Sequence, residues 1–260
     1  MRIEFLTQDD PLYVLPFFEE FICHYASDFE IVQISTSPSM GNRRRTQMLK
    51  ELTQLYGALG MIRLLARLIT SRVLGVIRKK PAAGGYATLA QLSHAYGIPY
   101  AKIGNPNTSE FLEGIRSRAP DVLVSVACPF ILKDALLSIA PKGAINIHHA
   151  PLPRYKGMMP TFWQMYHGET TVGLTIHVMV AKIDEGRILF QDRQAILPGE
   201  SLDHLIRRSK RHGAHCMAKV IREIRDQIPV SIPIDKSGSY FTFPTGAEIR
   251  EFRKRGLRAI

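Results

Sequence analysis

Residues 143–191 read GAINIHHAPLPRYKGMMPTFWQMYHGETTVGLTIHVMVAKIDEGRILFQ. Asn146 and His148 stand two residues apart after an apolar run, so both side chains point to one face of a predicted strand. Asp184 precedes Gly186 at the end of a second apolar segment. If the fold brings this amide, imidazole and carboxylate close together, they can form an acid–base site. Each pattern alone is also typical of an ordinary strand or turn, so the spacing leaves both interpretations open.

Several spaced motifs in this stretch resemble the folate-dependent formyltransferase family. The family pattern is Asn-x-His-x-Ser-Leu-Leu-Pro, then an aromatic or basic pair before Gly, then Gly-x-Thr-x-His or Met, then Asp-x-Gly. The matching segments are residues 146–153, 155–157, 173–177 and 184–186. Ala150 and Pro151 replace the usual Ser and Leu, which affects the turn and leaves the Asn-His-Asp set intact. The match is strong over residues 120–191 and weak before them.

The resemblance implies a formyl transfer from 10-formyltetrahydrofolate to a primary amine. It implies that Asn146 hydrogen-bonds the formyl oxygen as negative charge builds there. His148 would exchange the protons, and Asp184 would favour the charged imidazole. The amine itself is the nucleophile, so the chemistry requires no metal and no nucleophilic side chain. His177 is expected to be packed or hydrogen-bonded without acting as a catalyst.

The same resemblance suggests residues for the two substrates. Main-chain groups between apolar side chains suit the edge of a pterin ring, and two loop segments can supply them. The folate candidates are Pro129, Phe130, Ile131, Leu132, Val180, Ala181, Lys182 and Ile183. The candidates for the amine substrate are Gln8, Asp9, Asp10 and Lys156. For the first three of these, a solvated turn is the alternative. Cys128 is expected to be a small buried hydrophobe.

The order of elements predicts an α/β fold with a mostly parallel, Rossmann-like sheet. Residues 1–6 predict a strand, residues 12–27 a helix and residues 30–35 a second strand. No Gly-x-Gly-x-x-Gly follows the first strand, so a dinucleotide site lacks its glycines. Later strands are predicted at 121–127, 144–148, 172–180, 187–191 and 193–197, the last two flanking a bend. We expect a catalytic domain over residues 1–200 and a short C-terminal appendage, a helix with a tail, over residues 201–260.

A long apolar and basic segment, about residues 46–80, is predicted to be a helical insertion. Arg63 and Arg67 fall on one helical face, with Leu64 and Leu65 across from it. An arginine at the centre of a bilayer costs at least about 2.5 kcal/mol, which argues against a spanning helix. We expect a helix pair that buries its apolar stripe on the protein. An interfacial helix on a membrane surface is the alternative.

The composition narrows the class of partner without choosing one. A net charge of +11 suits acidic small molecules, nucleotides, nucleic acid or an anionic membrane. A basic helix over residues 204–226 lacks the interleaved aromatic residues of a nucleic-acid surface, which makes nucleic acid an unfavoured partner. Three scattered cysteines argue against a disulfide framework or a zinc site and for the cytoplasm. A strand at residues 1–6 leaves no room for a signal peptide before it.

Three functions stay open. The first is formylation of a small amine, an amino-sugar nucleotide being favoured, since only about 70 residues follow Leu189 and a methionyl-tRNA formyltransferase carries a further barrel domain. The second is hydrolysis of formyltetrahydrofolate, whose enzymes share the Asn-x-His-His start but carry a regulatory domain. The third is a non-catalytic binding protein on the same fold. A homodimer is compatible with each of them.

Overall fold

Strands and helices alternate along the chain in this computed structural model, which describes residues 1–38, 45–77, 85–227, 231–234 and 237–260. The strands are β1 (Arg2–Gln8), β2 (Glu30–Ser37), β3 (Tyr100–Lys102), β4 (Val122–Val126), β5 (Ala144–His148), β6 (Lys156–Gly157), β7 (Thr171–Val178), β8 (Ile188–Ala195) and β9 (Tyr240–Phe241). The helices are α1 (Leu15–Tyr25), α2 (Arg45–Ile77), α3 (Leu89–Ala95), α4 (Ser109–Arg118), α5 (Asp134–Leu137), α6 (Pro160–Tyr166), α7 (Leu202–Arg225) and α8 (Gly246–Lys254).

Seven strands form one sheet in the order β3-β2-β1-β4-β5-β7-β8. The first five are parallel to their neighbours, and β7 and β8 add antiparallel pairs at one side. The predicted α/β class with a mostly parallel sheet is therefore confirmed. In such a sheet the carboxyl ends of the parallel strands meet along one edge, where open α/β folds bind their ligands. The ends of β1, β4 and β5 lie together at this edge.

The core explains why the apolar runs became central strands. Every residue of β4 is buried, and Phe5 of β1 packs edge-to-face against Phe18 and Phe21 of α1, with ring centroids 5.2 Å apart. One charge also lies inside. Glu4 is completely buried, and both of its carboxylate oxygens accept hydrogen bonds of 2.8 Å from the guanidinium of Arg118. Such a buried charge needs its partner, because an unpaired carboxylate in the interior is costly.

Helix α7, which follows the predicted domain boundary at residue 200, packs against the sheet. Its apolar side, including Met217 and Ile221, belongs to the same core cluster as β1, β4, β5 and β7. A boundary at residue 200 therefore does not separate two hydrophobic cores. The part after α7 packs elsewhere: Phe252 of α8 stacks on Phe162 of α6 at 4.7 Å between ring centroids.

Strand β8 differs from its prediction as two strands flanking a bend. It is one strand that pairs with β7 continuously from Ile188 to Ala195, with a register shift near His177. Asp192 sits within it and is tolerated because β8 is an edge strand with this side chain partly exposed. Its carboxylate bonds His212 of α7 at 2.8 Å. The polar residue thus marks a contact to a helix and not a bend.

The predicted helical insertion corresponds to α2, which is broken at Gly57 (φ 69°, ψ 172°). Its packing only partly matches the expectation. Leu55 and Leu64 are buried against the protein, yet Leu65, which was expected to face inward with Leu64, is 57% exposed. Arg67, expected on a polar outer face, instead reaches inward to Asp203 of α7. Residues 78–80 of the predicted insertion lie outside the described residues.

Candidate active site

Strand β5 carries Asn146 and His148 to the ligand-binding edge of the sheet. It lies between the parallel strand β4 and the antiparallel strand β7. In that pairing Asn146 stands opposite His177, and the Asn146 Nδ2 atom lies 3.2 Å from His177 Nε2. His177 Nδ1 lies 3.0 Å from the carbonyl of Val178, which can only accept, so His177 Nε2 is free to accept from the asparagine. The second hydrogen of the Asn146 amide stays free for another acceptor. The expectation that His177 is a hydrogen-bonded residue is confirmed.

The imidazole of His148 has a defined tautomer. Its Nε2 lies 2.8 Å from the backbone oxygen of Tyr155, so Nε2 carries the hydrogen and donates it. The basic nitrogen is then Nδ1, which lies 3.7 Å from Asp184 Oδ2. Burial lowers the pKa of His148, although the charge of Asp184 and the Tyr155 carbonyl oppose this shift. The resting site therefore holds a neutral imidazole whose free lone pair faces a carboxylate.

Asp184 closes the site from the loop between β7 and β8. Its Oδ2 accepts a 3.1 Å hydrogen bond from the Gly157 backbone N–H, and its Oδ1 lies 3.6 Å from His177 Nε2. Burial would raise the pKa of Asp184. The charge that His148 carries when it is protonated, the neighbouring imidazole of His177 and the Gly157 N–H together outweigh burial and hold the pKa at about 2. Asp184 is therefore an anion at neutral pH.

Two glycines of the motifs are required by this geometry. Gly157, at φ 90°, donates to Asp184, and a side chain there would collide with the backbone oxygen of Phe241. Gly186 lies in the same loop as Asp184, and its Cα is so close to the Val178 carbonyl that a Cβ would overlap it. The sequence pattern Asp-x-Gly thus reflects a loop that must pass close to the end of β7.

A cavity of about 680 Å³ opens above these residues. Asn146, His148 and Asp184 all line it. The acceptor candidates Gln8, Asp9 and Asp10 also line it, which places the loop after β1 beside the catalytic candidates. Lys156 lies outside the described wall of the cavity; its side chain is buried, with Nζ 3.8 Å from Glu185 Oε1.

The folate candidates divide into two groups. Ile183 lines the cavity, as do Ala127 and Cys128 at the end of β4. Residues 129–132 and 180–182 lie outside the described cavity wall. Leu132 is buried in a core cluster, so its side chain is not available to a ligand. Cys128, expected to be buried, is half-buried at the cavity wall, and burial raises the pKa of its thiol to about 11.

Lys210 lies at the candidate site but was not predicted from the sequence to belong to it. This residue of α7 lines the cavity, and no hydrogen bond or ion pair joins it to another described residue. Burial lowers the pKa of Lys210 to about 8, although the charge of Asp10 opposes the shift. The sequence predicted α7 only as a basic helix, yet residues 206, 210, 213 and 217 follow one helical stripe and Met217 on it is fully buried. That spacing was the available signal.

In the sequence, His149 is distinguished only by its position in the Asn-x-His-His pattern. It is buried and lines the cavity; its Nδ1 lies 2.9 Å from Ser209 Oγ, and its Nε2 has no partner. Burial lowers the pKa of His149 well below 6.5. His149 is therefore a neutral polar group in the wall.

Helix α2 supplies another wall of the cavity. Met48, Leu52 and Leu64 line it together with Tyr56. The helix is held in place by Asp203 of α7, whose two carboxylate oxygens accept 2.8 Å hydrogen bonds from Arg67. The same carboxylate accepts a hydrogen bond from the hydroxyl of Tyr13, in the loop after β1. These contacts join the insertion, the loop after β1 and α7 around one opening.

One group of potential metal ligands occurs among the described residues. Asp192, His212 and Cys216 have ligand atoms within 4.8 Å of one another. The His212 Nε2 atom already lies 2.8 Å from Asp192 Oδ2, and burial raises the pKa of the Cys216 thiol to about 12. None of the three lines the cavity, so the chemistry of the site does not depend on them.

Known proteins resemble this chain in sequence. A family model described as formyl transferase matches residues 61–221. The methionyl-tRNA formyltransferase of Trichlorobacter lovleyi is 35% identical over 131 residues, which are 50% of this chain and 42% of that protein. The chain thus matches less than half the length of this relative.

Solved structures share the fold. A phosphoribosylglycinamide formyltransferase from Anaplasma phagocytophilum has a TM-score of 0.62 at 14% identity, covering 93% of this chain and 99% of that one. A sugar N-formyltransferase from a Shewanella species has a TM-score of 0.56 at 16% identity, covering 93% of this chain and 76% of that one. At such identities the likeness concerns the fold alone.

Proposed function

The chain belongs to the formyl transferase family, and we propose that it transfers a formyl group from 10-formyltetrahydrofolate to a primary amine. One observation carries the proposal. Asn146, His148 and Asp184 come from two different segments of the chain and meet in the wall of one cavity, with an imidazole Nδ1 3.7 Å from a carboxylate oxygen. This arrangement joins an amide donor, a neutral base and a fixed anion.

Each member has a role in the transfer. The amine nitrogen attacks the formyl carbon, and negative charge forms on the formyl oxygen, where the free hydrogen of the Asn146 amide donates. His148 Nδ1 accepts the proton that the amine loses, and Asp184 stabilises the resulting imidazolium. The bond from the carbon to folate N10 then breaks, and the proton passes from His148 to that nitrogen. No proton is left over, and no metal enters the sequence.

We propose that main-chain groups of residues 129–132 and 180–183 bind the pterin ring at the side of the cavity formed by Cys128 and Ile183. The ends of the two apolar strands β4 and β7 support this placement, since they meet at the ligand-binding edge of the sheet. The three cysteines are free thiols, and we propose a cytoplasmic location, where such thiols persist.

For the acceptor we propose an amino-sugar nucleotide. Lys210 brings to the cavity a cation that interacts with the charge of Asp10 but makes no ion pair within 4 Å in the described part of the chain, and such a cation suits a pyrophosphate. Asp9 and Asp10 bring carboxylates that suit the amine. Tyr13, Tyr56 and Phe243 give the cavity aromatic surface for a flat base.

An acceptor screen tests both levels of the proposal. The protein is incubated with 10-formyltetrahydrofolate and, separately, with a UDP-linked amino sugar, glycinamide ribonucleotide, methionyl-tRNA or no acceptor. Tetrahydrofolate release is followed by absorbance, and the formylated product by mass spectrometry. We expect release with the sugar nucleotide and none in the other reactions or with His148→Ala.

The other results have distinct meanings. Equal release without any amine would show hydrolysis and overturn formyl transfer. Release only with the ribonucleotide or the tRNA would keep the transfer and overturn the acceptor. Release in none of the reactions by a folded protein that binds folate would leave the binding protein as the function.

A further inference from the structure

Helix α2 is apolar on two sides after its break at Gly57. The inner side packs on the protein through buried Leu64. The opposite side, which we call the outer face, consists of Leu59, Ile62, Leu65, Ile69 and Val73. Their exposed fractions are 75%, 61%, 57%, 53% and 52%. These positions recur three or four residues apart, so their side chains form one continuous stripe open to solvent.

The part of the sequence that forms the outer face carries charges of one sign only. Arg63 is exposed beside the stripe. No aspartate or glutamate occurs in the sequence between Glu51 and Glu110, and the whole chain carries a net charge of +11. A helical segment with an apolar stripe, an adjacent arginine and no acidic residue after Glu51 has the chemical character of a surface that binds anionic lipid headgroups while its apolar side chains enter the acyl boundary.

We propose that the outer face of α2 binds an anionic membrane surface and lies in its plane. Thr46–Thr70 is long and apolar enough to cross a bilayer. Its inner side, however, is committed to the protein, because Arg67 makes two 2.8 Å hydrogen bonds to Asp203 and Leu55 is buried. A spanning helix would have to give up these contacts. Insertion of the outer face keeps all of them and covers the exposed stripe.

A second copy of the chain fits this surface less well. Two copies related by a two-fold axis would bring the same face together, and with it the same basic residues. The segment from Leu52 to Ser109 offers no acidic side chain to pair with Arg63 of the other copy. An anionic bilayer supplies the missing negative charge.

Vesicle sedimentation tests the proposal on the full chain without any activity measurement. The protein is spun with phosphatidylcholine vesicles, with or without about one third phosphatidylserine, at low salt and at physiological ionic strength. We expect pelleting with the anionic vesicles that weakens as salt shortens the Debye length to about 8 Å. The double variant Ile62→Gln/Ile69→Gln should lower the partition coefficient about tenfold or more, because two side chains lose apolar burial. Arg63→Gln should weaken binding mainly at low salt.

A matched control distinguishes vesicle binding by α2 from non-specific adsorption through other exposed apolar side chains. Leu197→Gln/Ile232→Gln removes two other exposed apolar side chains and should pellet like the wild type. Circular dichroism and thermal melts verify that all variants are folded. Wild-type protein that stays in the supernatant with anionic vesicles, or equal loss in the control variant, overturns the proposal. A lipid-free dimer in sedimentation velocity that the Ile62/Ile69 variant dissociates, without vesicle binding, assigns the face to a second copy instead.

Discussion

In the proposed reaction His148 offers Nδ1, since its Nε2 is occupied by the carbonyl of Tyr155. We propose that Asn146 and Asp184 act with it as one unit. We predict that Asn146→Ala, His148→Ala and Asp184→Ala each fold and each lower kcat by about 100-fold or more, as removal of a preorganised donor or base does. A double variant should lose little more than the worse single variant, because residues that act together are not additive.

Steady-state kinetics with thermal melts on each variant checks this prediction. His204→Ala is the matched control, because this histidine is exposed and lies in α7 beside Glu200. It should keep wild-type turnover. Losses that multiply in the double variants would contradict a shared site, and an unchanged kcat in one single variant would remove that residue from the mechanism.

The pH dependence follows from two shifted pKa values. Burial lowers the pKa of His148 below 6.5, so the neutral base is lost only as the pH falls through that lowered value. Turnover should therefore decline on the acid side at a pH below 6.5. The pKa of Lys210 lies at about 8, so its positive charge is lost as the pH rises through 8. If this charge holds the acceptor, the acceptor KM should rise there.

A pH profile of wild type and Lys210→Met checks this prediction. The variant should show a raised acceptor KM at neutral pH and no further rise above pH 8, with kcat much less affected. An alkaline rise in KM that survives in Lys210→Met would assign it to another group.

At the same scale, the sequence placed Asn146 and His148 on one strand correctly, because that strand has five residues and a period of two suffices to put both on one face. Lys210 and His149 could not be assigned in this way. Their role depends on α7 crossing the sheet beside β5, a contact between positions some 60 residues apart, as in the His149–Ser209 hydrogen bond. The spacing of apolar residues indicates that one side of a helix is buried. It does not indicate which other element that side packs against.

At the scale of elements, the buried ion pair between β1 and α4 should be a weak point of the fold. We predict that Arg118→Met lowers the free energy of unfolding by about 3–5 kcal/mol, because Glu4 keeps its place in the core and loses both hydrogen bonds from the guanidinium. Urea denaturation measures the change. The double variant Glu4→Leu/Arg118→Met should recover much of it.

Arg116→Met serves as the control, because Arg116 is on the same helix and exposed. A change within about 0.5 kcal/mol is expected there. Equal losses from the two arginine variants would show that the helix end and not the buried pair is responsible.

Elements were predicted where sequence periodicity and tertiary environment agree. The strand β5 was placed correctly and β4 nearly so, since each is apolar and central. Strand β8 was split by Asp192 because an acidic residue normally marks a turn, whereas at a sheet edge its carboxylate reaches a helix. In α2 two faces of the helix carry apolar residues at helical spacing. The sequence does not show which of these two faces is buried against the rest of the protein.

At the scale of the whole molecule, the cavity should bind folate without an acceptor. A folate analogue at about 100 times its Kd should raise the free energy of unfolding by about 2.7 kcal/mol, since it binds only the native state. Ile183→Asp should weaken this effect by placing a charge in the apolar wall.

Differential scanning fluorimetry and calorimetry measure the binding. Leu197→Asp, an exposed position outside the cavity wall, should leave the thermal shift unchanged. Neither heat nor a thermal shift at millimolar analogue would contradict the folate site.

The insertion of α2 into the cavity wall bears on how this protein can evolve. Met48, Leu52 and Leu64 shape the opening, whereas Asn146, His148 and Asp184 lie about a hundred residues later in the chain. Part of the pocket shape is therefore set by a stretch of sequence that is separate from the candidate catalytic residues. Mutations in α2 can change the shape of the opening without altering the segments that carry Asn146, His148 and Asp184. Substrate selectivity can therefore differ between lineages that keep the same reaction.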